Sequence, residues 1–352
     1  MKDINWVPNK KINNNLVNEL LEKCIESNQF TNDGYNVKYL EEIIREVLEI
    51  ENKKEVIVVA NASLAIQCLS SSIEHYEKKK ITWATQSFTF PPSAQGTLNE
   101  TKILDIDLEG GLNLDEINNE INGLIVTNIF GNVVDIDKYL NYCDSNNKFL
   151  IFDNAATPYT FYKNKNCLNY GIGSIISFHH TKPIGFGEGG AIIVDKKYSN
   201  TVRKIINFGI QLEIDNYFSK LGNNYKMSEI SAIYIIQYIK DNFNYIKNKH
   251  IQLFNYFKNK ISQLTNCNFR LFPSFNDNDK IIISCFSILF NEYNDDIRIR
   301  LINNKIFSRK YYHPLKNTIN SETIYKNILC IACTIDMEFE DLDNIIEIIQ
   351  NS

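Results

Sequence analysis

Short apolar runs alternate with stretches of helical periodicity through the first 150 residues, and that alternation restricts the fold of this 352-residue chain more than any other feature. Residues 37–50 (VKYLEEIIREVLEI) repeat apolar side chains at helical spacing, and residues 56–60 (VIVVA) form a continuous run suited to a strand buried on both faces. Asn61, Ala62 and Ser63 then stand at the entry to another periodic segment, 64–73, so a strand ends where a helix begins, a geometry that binds anions. The pattern continues with strands at 103–106, 124–129 and 149–152 and with helices at 114–121 and 136–143. It predicts an α/β fold with a mostly parallel central sheet flanked by helices. From 175 to 195 two strands flank a Gly-rich turn (GFGEGG); a long helix is expected from 227 to about 261, then a smaller α+β tail with a strand at 281–289 and a closing helix at 340–349. We place the domain boundary near 245, giving a large domain, 1–245, and a small C-terminal one, 246–352.

Composition excludes several classes. With 44% hydrophobic and 22% charged residues, and with Gly 14 and Pro 7, the chain is neither disordered nor collagen-like. A formal charge of -5 provides no cationic field for a phosphate backbone, so nucleic acid is not an expected partner. The longest apolar stretches fall far short of the roughly twenty residues of a membrane span, and the polar start Met1-Lys2-Asp3 does not read as a secretory leader. A soluble, cytoplasmic protein without membrane partners is expected. The eight cysteines have no repeated spacing; Cys330 and Cys333 lie in an apolar run (ILCIACTI) and read as core packing rather than as metal ligands, so no metal site is expected.

The chemistry gathers at strand ends, where open α/β sheets collect ligands. Asp153 ends the run FLIFD, and Lys182 follows Ser177-Phe178-His179-His180-Thr181 just before the Gly-rich turn. Taken singly, the first reads as a helix cap and the second as a solvated lysine. Together they match what pyridoxal 5'-phosphate requires: a lysine to form the imine, a carboxylate to keep the pyridine nitrogen protonated, and donors for the phosphate. Ser63, the N–H groups of Ala62 and Ser63 at a helix start, and the Ser177 hydroxyl are candidate phosphate donors.

These segments resemble the DegT-type nucleotide-sugar aminotransferases, of the fold-type I (aspartate aminotransferase-like) pyridoxal phosphate superfamily, over nearly the whole chain. The strongest is SFHHTKPIGFGEGGAIIV, similar to the family's Ser-Phe-His-x-x-Lys followed by a Gly-Glu-Gly-Gly turn and a strand, which implies Lys182 as the cofactor lysine. FTNDGYNVKYLEE, NASLAIQ and NIFGNVVDID agree in order and spacing, and LGNNYKMSEISA is similar to the Gly-x-Asn-x-x-Met-Ser segment. In the family, the Asn of that segment reaches the phosphate of the neighbouring subunit's cofactor, which implies Asn224 acting in trans and a homodimer with shared sites. Two departures stand out: Ala156 occupies a position where relatives carry Gln or His, and Ala62-Ser63 replaces Gly-Thr in the phosphate loop.

The resemblance further implies that Phe90, rather than Phe88, lies against the cofactor, and that Arg309, Tyr311, Tyr312 and His313 (RKYYHPL) approach the nucleotide-sugar. Lys240, Lys247 and Lys249 read as a solvated helix face. The expected activity is transfer of the amino group of L-glutamate, by way of pyridoxamine 5'-phosphate, to a UDP- or dTDP-linked 4-keto-6-deoxyhexose. The pattern is closest to enzymes forming 4-amino-4,6-dideoxyglucose (viosamine). A C3 aminotransferase and a sugar 3-dehydratase are the alternatives; the dehydratases carry His in place of the lysine, and Lys182 argues against that route.

Overall fold

Helix α1 (Asn14–Ser27) opens the first layer of the computed structural model, which describes residues 3–212, 216–265, 267–274 and 280–351. Its cap, Asn13, accepts the Leu16 N–H at 3.2 Å. The next helix, α2 (Tyr35–Val47), has no capping side chain of its own. Glu229, far along the chain, supplies one: its Oε2 accepts the N–H groups of Asn36 at 2.7 Å and Val37 at 3.3 Å.

Seven strands form the large sheet: β1 (Lys54–Val59), β2 (Trp83–Gln86), β3 (Lys102–Leu104), β4 (Gly123–Thr127), β5 (Phe149–Asp153) and, after a small hairpin of β6 (Phe161–Tyr162) with β7 (Lys165–Asn166), β8 (Gly173–Ser177) and β9 (Gly190–Asp195). Their spatial order is β1-β9-β8-β5-β4-β2-β3. Strand β9 runs antiparallel to both neighbours, reversed by the Gly-rich turn, and the other pairings are parallel. Both faces are buried, and residue alternation sorts the side chains between them. Val56 and Val58 pack with α1, α2, α4 (Ile136–Ser145) and the first half of α6 (Glu229–Ser262), whereas Ile57 and Val59 pack with α3 (Ala62–Glu77) and α5 (Lys196–Ile206).

The smaller sheet is antiparallel, in the order β10 (Phe269–Leu271), β11 (Cys285–Phe290), β13 (Ile328–Ala332), β12 (Ser308–Arg309). Helices α7 (Asp296–Asn303) and α9 (Phe339–Gln350) add Ile297, Leu301, Leu342 and Ile345 to its core, and α8 (Ile319–Asn327) contributes Ile324 to a separate cluster with Phe88, Phe130 and Cys330. Helix α6 crosses position 245 without a break: residues up to Ile246 belong to the large core, and Leu253, Phe254 and Phe257 to the small one. The proposed division near 245 therefore falls inside one continuous helix. Cys330 and Cys333 are both buried, and all eight cysteines are free thiols.

Two expected elements are corrected. The helix read at 114–121 is a single 3-10 turn, Leu114–Glu116, because Asn113 and Asn118 each accept the N–H two residues on, of Asp115 and Glu120, and so hold the backbone in turns. The strand read at 281–289 begins only at Cys285, since Ile282 and Ser284 donate instead to the carbonyls of Tyr159 and Phe130 in the large unit.

Candidate active site

Sheet register gathers the candidate residues. Thr127 pairs with Asp153 at the ends of β4 and β5, Ser177 pairs with Gly190 across β8 and β9, and Gly190 also faces Val59 at the end of β1. The carboxyl ends of the parallel strands thus meet along one edge, as the topology of an open α/β sheet dictates. A cavity of about 480 Å³ opens there, walled by Ala62, Ser63, Phe90, Asp153, Ser177, Lys182, Arg309, Tyr311 and Tyr312.

Asn61 caps α3 by accepting the Leu64 N–H at 2.9 Å, which leaves the first-turn N–H groups of Ala62 and Ser63 without an intrahelical acceptor at the cavity wall. Gly190 lets that helix start approach the sheet: a Cβ there would lie 2.5 Å from the Asn61 carbonyl carbon and 2.6 Å from the Ala62 nitrogen. The result is a cradle of backbone donors beside the Ser63 side chain, suited to a phosphate. Ser177 Oγ accepts the His179 N–H at 3.2 Å and keeps its own proton to donate.

Asp153 is only 5% exposed. Its carboxylate accepts the Ala155 N–H at 2.9 Å and the Ser93 hydroxyl at 3.5 Å. Burial pushes the carboxyl above its usual range, opposed by the Ala155 N–H, the charge of Lys182 and Ser93. Burial conversely pulls the Lys182 ammonium below its ordinary value, against the attraction of Asp153. A buried carboxylate facing a lysine whose ammonium form is disfavoured by burial is an arrangement that accepts a cationic ring at one end and forms a carbon–nitrogen bond at the other. Open helix-start donors, hidden carboxylate and lysine on one cavity fit pyridoxal 5'-phosphate.

Phe90 is 57% exposed at the cavity wall, whereas Phe88 is fully buried, edge-on to Phe130, Phe272 and Tyr312. Arg309 donates to the Tyr311 hydroxyl at 2.6 Å, with its guanidinium 5.0 Å from the Trp6 ring. Two candidates stand apart from the cavity wall. His313 is exposed, its ring 5.1 Å from Tyr325, and Asn224 is exposed in a bridge to Asn207. His179 Nδ1 accepts the Thr181 N–H at 3.2 Å, so its other nitrogen carries the proton toward Glu188, 3.5 Å away. The wall also contains Trp6, Thr127, Glu188 and Cys285, which sequence reading did not single out. Of these only Trp6 left a signal: it is one of two tryptophans in the chain and lies outside any periodic segment. Among the described residues no group of three or more His, Cys, Asp or Glu could hold a metal, and no helix is long and apolar enough to cross a membrane.

The model of the DegT/DnrJ/EryC1/StrS aminotransferase family matches residues 11–350. The chain belongs to that family. Among family proteins, the UDP-4-amino-4,6-dideoxy-N-acetyl-beta-L-altrosamine transaminase of Campylobacter jejuni is 27% identical over 247 residues, 66% of this chain and 64% of that protein. The dTDP-4-amino-4,6-dideoxy-D-glucose transaminase of Shigella dysenteriae is 26% identical over 223 residues, 61% of this chain and 58% of that protein. The chain thus spans less than two thirds of the curated relatives it matches. The crystal structure of DesI in the presence of its TDP-sugar product superposes with a TM-score of 0.82 at 17% identity, covering 100% of this chain and 93% of that one; the likeness establishes the shared fold.

Proposed function

We propose that this family member is a pyridoxal 5'-phosphate-dependent aminotransferase that moves the amino group of L-glutamate onto a nucleotide-linked 4-keto-6-deoxyhexose, at C4, to give a UDP- or dTDP-4-amino-4,6-dideoxyglucose. The observation that carries this reading is the convergence of Asp153, Lys182 and the open first turn of α3 on one cavity. When bound, the cofactor supplies an electrophilic aldehyde and, protonated on its ring nitrogen, an electron sink. Asp153 holds the proton on that nitrogen. The Lys182 amine would hold the cofactor and would serve as the base and acid that moves the proton between carbon atoms. Ala62 and Ser63 N–H groups, with the Ser63 and Ser177 hydroxyls, hold the phosphate, and Phe90 supplies apolar cover.

Arg309, with Tyr311 and Tyr312, meets the nucleotide-sugar; the guanidinium suits its diphosphate. His313 belongs to the same loop. Asn224, exposed on its own subunit, completes the phosphate site of a second copy, so the working unit is a homodimer. The names of the Campylobacter and Shigella relatives specify 4-amino-4,6-dideoxy sugars, which supports amination at C4. Incubation with glutamate and UDP- or dTDP-4-keto-6-deoxyglucose, followed by NMR of the product, tests the reading. An amine at C4 is expected; an amine at C3, or loss of the C3 oxygen, would overturn the positional assignment.

A further inference from the structure

The loop that carries Lys182 turns its carbonyls toward a single point, and a cation from the far end of the chain occupies that point. Lys10 Nζ donates to the carbonyl oxygens of His180 and Lys182, each at 2.8 Å, and to that of Gly185. Three carbonyl dipoles converging on one centre repel one another unless a cation sits among them. A lysine ammonium has three donors, one for each.

We propose that Lys10 is a positioning residue for Lys182: its ammonium fixes the backbone of residues 180–185 so that the Lys182 amine is presented to the cofactor aldehyde opposite Asp153. The inference rests on the proposed pyridoxal phosphate chemistry and assigns to it a residue outside the site's own walls.

Three further observations support the assignment. Lys10 lies in a segment without regular structure that is tied at both ends. Ile4 bridges Ile306 beside the small sheet, and the Asn13 N–H donates to Gln237 Oε1 at 3.0 Å on α6. Between these anchors Trp6 reaches the cavity and packs 5.6 Å from Tyr311. The segment therefore links the substrate-facing loop of the small unit to the lysine loop of the large one. Second, the ammonium is part-buried, 4.7 Å from the Tyr238 ring centroid, with His180 on the loop and His250 on α6 as the titratable groups that face it. Among the described residues no carboxylate pairs with it, and burial pulls it down to about 7. Third, an uncharged chain such as Met would fill the same space against Tyr238 without that desolvation cost. What the cation adds is its hold on the three carbonyls.

The test uses the full chain stripped of cofactor and reloaded. In covalent capture of pyridoxal 5'-phosphate, the Lys182 nitrogen bonds to the aldehyde carbon and the aldehyde oxygen leaves as water, and growth of a visible absorption band reports the rate. Pyridoxamine 5'-phosphate shares the ring and phosphate but cannot be captured, so its Kd reports the cradle alone. In Lys10→Met and Lys10→Gln the capture rate is expected to fall between about tenfold and 100-fold, the range in which misplaced reacting groups act. Pyridoxamine phosphate affinity should stay unchanged, and Lys10→Arg, which keeps the charge and the donors, should recover most of the rate. If Lys10→Met does not fold, Lys10→Gln carries the comparison. An unaltered capture rate would overturn the proposal, as would parallel loss of both ligands with a lowered unfolding midpoint, which would make Lys10 merely structural. Failure of the unsubstituted chain to capture the cofactor would instead refute the proposed function, and the positioning role with it.

Discussion

Replacing Gly190 with alanine tests the cradle at its tightest point. Gly190 is held on both sides, paired with Val59 of β1 and Ser177 of β8, so the strand cannot slide away from an added methyl group. The new Cβ would stand 2.5 Å from the Asn61 carbonyl carbon, 2.6 Å from the Ala62 nitrogen and 2.9 Å from the Asn61 oxygen, all backbone atoms. The start of α3 must then retreat by about 1 Å to restore the roughly 3.5 Å separation of ordinary contacts. Overpacking of this kind costs about 1–3 kcal/mol in stability. The same movement withdraws the Ala62 and Ser63 N–H groups from the phosphate, and each 1.4 kcal/mol lost there weakens cofactor affinity about tenfold. Urea unfolding of the cofactor-free protein and a pyridoxal phosphate titration measure the two effects separately. Gly187→Ala is the control: its φ is +68° and, its chain neighbours aside, no atom lies within 4 Å of the added Cβ, so it carries backbone strain of about 1 kcal/mol without touching the cradle. Wild-type affinity and an unmoved unfolding midpoint in Gly190→Ala would refute the reasoning.

Asp153→Asn should lower cofactor affinity and slow the proton transfer about 100-fold, because an amide cannot stabilise the ring proton and two pKa units amount to about 2.7 kcal/mol; an unaltered rate and Kd would leave Asp153 only the structural role of accepting the Ala155 N–H in the turn after β5. His250 is buried beside Cys333 and burial lowers its pKa to about 4, so the unfolded chain takes up a proton near pH 6.5 that the folded chain refuses until about 4. Stability should therefore fall as pH drops through that window, by about 3 kcal/mol from this residue, and His250→Gln should flatten the slope in urea unfolding at stepped pH; identical slopes would contradict it. Mixing inactive Lys182→Ala with an inactive Asn224 variant should restore activity in hybrid dimers, since one site of each hybrid carries both lesions and the other neither. Hybrids seen by mass spectrometry yet inactive would remove Asn224 from the shared site.

The parts of the site that could be read from the sequence lie at the ends of apolar runs. A parallel sheet forces the carboxyl ends of its strands to one edge, so Asp153 at the end of FLIFD and the helix start at Ala62 could be placed from the sequence. Lys182 followed from its motif rather than from periodicity. What sequence could not reveal depends on contacts between distant segments. Nothing local marks Glu229 as the cap of a helix 193 residues earlier, or Lys10 as the partner of carbonyls 170 and more residues later. Ser93 reaches Asp153 only because the turn at Pro91–Ala94 folds back over the sheet edge. The missed turn at Leu114–Glu116 has a local cause: Asn side chains competed successfully for backbone N–H groups that an apolar periodicity had assigned to a helix.

The central claim is that Lys182 carries the cofactor covalently, and borohydride reduction of the pyridoxal phosphate-loaded protein followed by peptide mapping tests it most directly. The account predicts a single reduced adduct on Lys182, absent from Lys182→Ala, which should remain folded because this half-buried side chain adds little to the core. An adduct on another lysine, or transamination persisting near the wild-type rate in Lys182→Ala, would contradict it.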